Sequence, residues 1–290
     1  MNVKKYMKRL IPIVLLSAGI ITSVTGLAMG AKKDYINAMN LTEFEANIPS
    51  GNIFNMDINV DIADLNIISS NDVDNFRIEA QNVSKEYLDY STSNNTFSFM
   101  YEIDKWYKNV FIPGFMKKRG TITIYIPAGM SLKDVQINSG RYNTDISYLT
   151  AERVFIDFGR GTGSITNLTC DYSKISNTGG DINCLNIDSD DADIYTTSGK
   201  AALSNFVSNS LIINNKVGDI DLSGKINGDC VLNSKSGDIK ITVYGNESDY
   251  KFNVIDGSVS VNGKKNPDNK DAKYNFKVNS GRSDVNINIK

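Results

Sequence analysis

The C-terminal half of the chain carries a beat of glycines, each followed by alternating apolar residues. The copies are Gly180-Asp-Ile182-Asn-Cys184, Gly199-Lys-Ala201-Ala-Leu203, Gly218-Asp-Ile220-Asp-Leu222, Gly237-Asp-Ile239-Lys-Ile241 and Gly257-Ser-Val259-Ser-Val261, with glycines 19, 19, 19 and 20 residues apart. The second and fourth residues after each glycine are apolar and the residue between them is mostly polar. That is a period of two, the mark of a strand with one buried face. A second alternating pair falls 12 and 14 residues after each glycine: Ala192 and Ile194, Leu211 and Ile213, Cys230 and Leu232. In the fourth, longer copy it shifts by one, to Tyr250 and Phe252. Looser copies flank the run at Gly163-Ser-Ile165, Ser139-Gly140-Arg141 and Ser280-Gly281-Arg282.

No copy can bury its apolar face alone, whereas stacking copies builds one continuous core. The pattern therefore predicts an all-β chain: a single parallel β-solenoid, β-helix-like, with coils of about 19 residues and at least two inward-facing strands per coil. Each glycine marks a corner where φ is positive or another backbone comes close. The neighbouring Asn and Asp residues suit such turns. The period matches neither the hexapeptide left-handed helix nor the leucine-rich or calcium-nonapeptide patterns.

Upstream the chain is β-patterned without this beat. Met56, Ile58, Val60 and Ile62 alternate with polar residues, as do Phe76, Ile78 and Ala80, and then Phe97, Phe99, Tyr101 and Ile103. Thr121–Ile126 reads as a strand stopped by Pro127. Residues 51–133 are thus expected to form irregular first coils and a cap, and residues 134–290 the regular repeats. Residues 31–50 read as a linker.

The N-terminus changes the picture from a bare solenoid to a tethered one. Residues 1–9 hold Lys4, Lys5, Lys8 and Arg9, and Leu10–Gly30 carries no charge. A helix over 10–30 would span about 32 Å, enough for a hydrocarbon core of about 30 Å. The basic flank favours a cytoplasmic tail over 1–9 and an extracytoplasmic body. Ala28-Met29-Gly30 also resembles a small-x-small cleavage site, so a cleaved signal peptide is the competing reading. Both readings put the body outside the cytoplasm.

Composition mainly excludes. With 31 basic and 33 acidic residues and a net charge of −2, the chain lacks the basic face that nucleic acid requires. It has no histidine, which removes Ser-His and Cys-His nucleophile pairs. The three cysteines form no C-x-x-C pair. In the repeat register Cys184 shares a position with Leu203, Leu222 and Ile241, and Cys230 with Leu211. Counted from Gly163, Cys170 falls beside Ile187 and Phe206. All three read as small core residues; a Cys170–Cys184 bridge or a reactive thiol is the alternative.

Few candidate sites emerge. The segment 101–119 holds Trp106, Tyr107, Phe111 and Phe115 and a basic end. It suits contact with a partner or a membrane surface, or simple packing over the solenoid end. Asp188, Asp190, Asp191 and Asp193 could offer oxygen ligands to calcium, but they lack the glycine and glutamate spacing of an EF-hand; a solvated turn is the simpler reading. Asp181, Asp219 and Asp238 fall in one register, interrupted by Lys200, and read as a solvated edge. No set of residues stands out as catalytic, no cofactor or metal is implied, and a carbohydrate-cleaving solenoid would need convergent carboxylates that the sequence does not single out. Five Asn-x-Ser/Thr sequons, at Asn40, Asn82, Asn94, Asn167 and Asn246, are what chance gives in an Asn-rich chain.

The N-terminal hydrophobic segment, the Ile122–Pro127 strand, the following Leu132-Lys-Asp-Val-Gln-Ile-Asn-Ser-Gly140 and the Gly-Asp-Ile motifs at 180, 218 and 237 together resemble the bacterial "putative-adhesin", or toast-rack, family over roughly residues 50–290. The Gly199-Lys-Ala-Ala copy departs from the motif but keeps its apolar positions. The resemblance implies one extracytoplasmic β-solenoid, often associated with envelope-stress systems, with no catalytic residues to transfer. The resulting expectation is a membrane-anchored, non-enzymatic binding or scaffold module of the cell envelope. Its expected partners are the membrane and a cell-wall polymer or envelope protein. An envelope-stress sensing component and a carbohydrate-active enzyme are the alternatives.

Overall fold

The computed structural model describes residues 24–25, 40–102, 119–265 and 271–290. The predicted anchor over 10–30 lies outside them except for Val24 and Thr25. Among the described residues no helix is long and apolar enough to cross a membrane.

The strands before the regular repeats are β1 (Thr42–Ile48), β2 (Asn55–Val60), β3 (Ala63–Ser70), β4 (Phe76–Val83), β5 (Leu88–Ser93), β6 (Thr96–Tyr101) and β7 (Gly120–Pro127). Then follow β8 (Leu132–Ser139), β9 (Thr144–Asp157), β10 (Gly163–Asn177), β11 (Ile182–Ser198), β12 (Ala201–Val217), β13 (Ile220–Ser236) and β14 (Ile239–Val243). The chain ends on β15 (Tyr250–Val261), β16 (Lys264–Lys265) and β17 (Tyr274–Ile289). All join one hydrogen-bonded sheet. The fold is all-β and solenoid-like.

From β8 to β14 the strands stack parallel in chain order. Leu132 lies beside Ala151, Ala151 beside Cys170, and Cys170 beside Ser189. Gly163 lies beside Ile182, Ile182 beside Ala201, Ala201 beside Ile220 and Ile220 beside Ile239. Each step is one repeat. Within β10 the inward alternation slips at Thr166-Asn167 and again at Asp171-Tyr172, where two successive residues face outward. These bends divide a coil into three short runs, one more than the apolar pairs alone required.

The first bend is made by residues in the left-handed region: Tyr148, Asn167, Asn186 and Asn205, at φ of 61°, 58°, 58° and 52°. Asparagine tolerates that region because its short amide bonds locally. Here the amides also chain together: Asn186 Nδ2 donates to Asn167 Oδ1 at 2.9 Å and Asn205 Nδ2 to Asn186 Oδ1 at 3.0 Å. The closing corner belongs to glycine. Gly180, Gly199, Gly218 and Gly237 have φ of +97°, +106°, +128° and +122°. A Cβ on Gly199 would also collide with the carbonyl oxygen of Gly180, the corner glycine one coil below.

This register corrects one sequence alignment. The glycine below Gly180 is Gly161, whose carbonyl would meet a Gly180 Cβ, and not Gly163, which pairs with Ile182. Cys170 therefore sits beside Ala151 and Ser189, while Leu168 sits beside Ile187. Two glycines lie two residues apart there, and only the ladder decides which one turns. The other two cysteines keep their positions, Cys184 beside Leu203 and Cys230 beside Leu211. All three are buried free thiols. Burial pushes Cys184 and Cys230 up to about 12 and raises Cys170.

Chain order fails at both ends of the stack. β17 is inserted between β13–β14 and β15. Phe276 and Val278 pair with Cys230 and Leu232, and Val285 and Ile287 pair with Ile239 and Ile241. Tyr250 and Phe252, which the spacing assigned to the layer above Cys230, lie one layer further out, against Tyr274 and Phe276. At the other end β2 lies between β6 and β8, and β3 between β7 and β9. Outside them the sheet turns antiparallel, with β5 on β6, β4 on β7 and β1 on β4. A repeat motif fixes which side of a segment is apolar; it does not fix the layer, because each apolar pair fits between any two others.

Candidate functional site

The residues predicted for contact, Trp106, Tyr107, Phe111 and Phe115, lie outside the described residues. The candidate site is built instead from the outward residues of the third run of each coil. Parallel stacking in register turns every outward position into a row.

Two rows carry charge and aromatic rings. Asp134, Arg153, Tyr172, Asp191 and Ser210 form one. The next holds Phe155, Lys174, Asp193, Ile212 and Val231. Arg153 Nε meets Asp134 Oδ1 at 2.6 Å, and a second guanidinium nitrogen donates to Oδ2 at 2.8 Å. Both groups are about half exposed, so solvent screens the pair and it adds little to stability despite its geometry. The Phe155 and Tyr172 rings are 5.7 Å apart. The Tyr172 hydroxyl donates to Asp193 Oδ2 at 2.8 Å; desolvation, with Asp193 adding to it, pushes the phenol up to about 12. These acids are thus engaged with neighbours on the same face.

The third row is different. It runs Asp157, Ser176, Tyr195, Asn214, Asn233 and Asn279. Asn233 Nδ2 donates to Asn214 Oδ1 at 3.0 Å, leaving each amide with further donor and acceptor capacity. Beside this row, at the shoulder leading to the glycine corner, stand Lys216 and Lys235. Together these residues line a groove of about 580 Å³, with Gly281 at its end. No carboxylate is among its described lining residues. Tyr195 is 39% exposed, so its ring forms an accessible floor. Lys216 Nζ lies 5.7 Å from the centre of that ring.

The sequence carried a signal for this groove that the apolar pattern hid. Tyr195, Asn214 and Asn233 stand one repeat apart, as do Lys216 and Lys235. Asn279 had no such signal, because it belongs to the inserted strand.

The acidic candidates resolve into separate roles. Asp190 accepts from Asn209 at 2.8 Å, and Asp193 accepts from Tyr172. Among the described residues no group of three His, Cys, Asp or Glu could hold a metal ion. Asp181 and Asp219 do more than line a solvated edge. Asp181 Oδ1 accepts from the Lys200 backbone N–H at 2.8 Å, and Asp219 Oδ1 from the Asp238 N–H at 2.9 Å. Each aspartate caps the corner of the coil above it.

Among curated proteins, none matches the chain. Several solved structures resemble it, three of them as follows. A "putative cell adhesion protein" from Clostridium sporogenes is 12% identical, with 87% of this chain and 100% of that one covered and a TM-score of 0.31. A "putative adhesin" from Bacteroides fragilis is 14% identical, with 86% and 97% covered and a TM-score of 0.39. A "putative lipid binding protein" from Parabacteroides distasonis is 13% identical, with 87% and 98% covered and a TM-score of 0.47. The family model described as Toastrack DUF4097 matches residues 53–290, every strand from β2 onward, and the chain belongs to that family.

Proposed function

We propose that this chain is a non-enzymatic binding module of the bacterial cell envelope, held to the membrane by its N-terminal segment and presenting the outward rows of its stack to an extended cell-wall polymer. The observation that carries the reading is the third row. It repeats amides and a ring at one coil spacing, about 4.8 Å, on a rigid hydrogen-bonded support. A linear polymer with repeated hydroxyls meets such a row many times with one kind of contact, and each amide both donates and accepts. The basic residues before 10–30 support an extracytoplasmic body. A binding role is further supported by the engagement of Tyr172 with Asp193 and of Arg153 with Asp134, which leaves these groups structural.

The test is recovery from envelope. The full chain, solubilised and immobilised, is incubated with a cell-wall digest and washed. Recovery of wall polymer supports the reading. Recovery of an envelope protein alone identifies the other class of partner and overturns the polymer assignment. A phosphatase or β-lactamase fusion after residue 290 reports the side of the membrane; activity confined to the cytoplasmic side overturns the location.

A further inference from the structure

Within that polymer-binding reading, and resting on it, we infer that the groove beside the third row selects an anionic polymer, such as a polyuronate or another acidic glycan. Lys216 and Lys235 stand at the same position of adjacent coils, so their backbones are only about 4.8 Å apart. Like charges placed directly opposite across a ladder oppose each other. Elsewhere on this face Arg153 is paired with Asp134, and Asp193 accepts from the Tyr172 hydroxyl. The two lysines have no such partner: among the described residues neither forms an ion pair, both are exposed, and no carboxylate lines the groove. Lys216 leans over the Tyr195 ring, and nothing comparable stands over Lys235.

The two ammonium groups thus make a short rail with one positive charge per coil. Asn214 and Asn233 run parallel to it, and Tyr195 forms the floor. A pyranose ring is of similar length to one coil step. A polymer with one carboxylate per ring would place its acids along the lysines, its hydroxyls along the amides and a C–H face on Tyr195. Gly281 carries no side chain over the rail's end, so a chain longer than two rings can leave the groove. The extended repeat favours a polymer over a lipid headgroup, which would use one charge and gain nothing from the row.

Binding of the full chain to polygalacturonate, to dextran and to phosphatidylglycerol vesicles tests this. The expected result is binding to polygalacturonate, weakened at least tenfold in Lys216→Ala/Lys235→Ala and also in 1 M salt, where the screening length is about 3 Å. Both lysines are exposed, so the variant should keep the parent far-UV spectrum and melting temperature; Lys216→Gln/Lys235→Gln repeats the test with the side-chain length kept. Equal binding to dextran and polygalacturonate, or no change in either variant, overturns the anionic selection and leaves polymer binding standing. Binding to vesicles but to neither polymer makes the groove a lipid site and overturns the inference. Binding to none of the probes overturns the inference, and only if the wall digest also yields no polymer does the wider reading fall with it.

Discussion

The side-chain amide of Asn177 donates to the carbonyl oxygen of Gly180, three residues on, at 3.2 Å, and the same nitrogen reaches the Gly161 carbonyl at 3.1 Å one coil below. Asn215 repeats the contact with Gly218, and its own oxygen accepts from Thr196 Oγ1 at 2.6 Å. Inside the corner, buried amides therefore saturate the carbonyls that the turn frees from the ladder. Removing such a group leaves a buried acceptor without a partner, at about 1–3 kcal/mol. Asn215→Ala should lower unfolding free energy by that amount, with urea denaturation as the measurement. A change below a few tenths would mean that water takes over the role.

The corner glycines should be far less replaceable than glycines elsewhere. Gly199→Ala meets two obstacles at once, a φ of +106° and the Gly180 carbonyl. Strain of about 1–3 kcal/mol is expected from the backbone alone, before the displacement of the next coil. Gly51 has nothing within 4 Å of an added Cβ and no positive φ, so Gly51→Ala should stay within about 0.5 kcal/mol. Thermal melts of the pair give the comparison directly.

The thiols predict a pH dependence. Cys184 and Cys230 ordinarily ionise near 9.0, and burial holds them near 12 in the folded chain. Above pH 9 the unfolded chain has lost protons that the folded chain keeps, so it binds fewer protons and stability falls with rising pH. The loss should start near pH 9 and grow until the pH approaches 12. Cys184→Ala/Cys230→Ala should flatten that slope. An alkylating reagent at pH 8 should label neither residue until the chain is unfolded; rapid labelling of the native chain would contradict their burial.

Hydrogen exchange should report the inserted strand. β17 has a parallel neighbour on each side, β13–β14 on one and β15 on the other. Its amides should exchange as slowly as those of β12, and those of the outer β15 faster. A simple spiral would give the opposite order, with the last strand the least protected.

Much of this fold was legible in the sequence. The glycines at 180, 199, 218 and 237 and the apolar residues after them gave the coil, the inward faces and the burial of Cys184 and Cys230. What escaped was of two kinds. The Asn167–Asn186–Asn205 ladder is polar, so a reading built on apolar alternation passes over it; the register of Asp181 was legible, but its backbone cap looked like a solvated edge because the partner N–H leaves no mark in the sequence. The placement of β17 and the choice of Gly161 over Gly163 depend on which strands meet, and pairing between distant segments leaves no local mark. The groove falls between these cases. Tyr195, Asn214 and Asn233 stand in register and were open to discovery, whereas Asn279 was not.

The tucking of β2–β3 and β17 beneath outer layers governs how such a molecule can change length. A stack whose first and last strands were its two ends could grow or shrink there one unit at a time. Here β2–β3 are locked under the later β6–β7 and β17 under the earlier β15, so the two ends behave as finished pieces. Variation in height is left to the middle storeys, where excision of residues 182–200 would join Asp181 to Ala201 and bring the next storey down into the vacated place, since Ile182 and Ala201 are register partners. The two end pieces would then meet across a shorter shaft without being rebuilt.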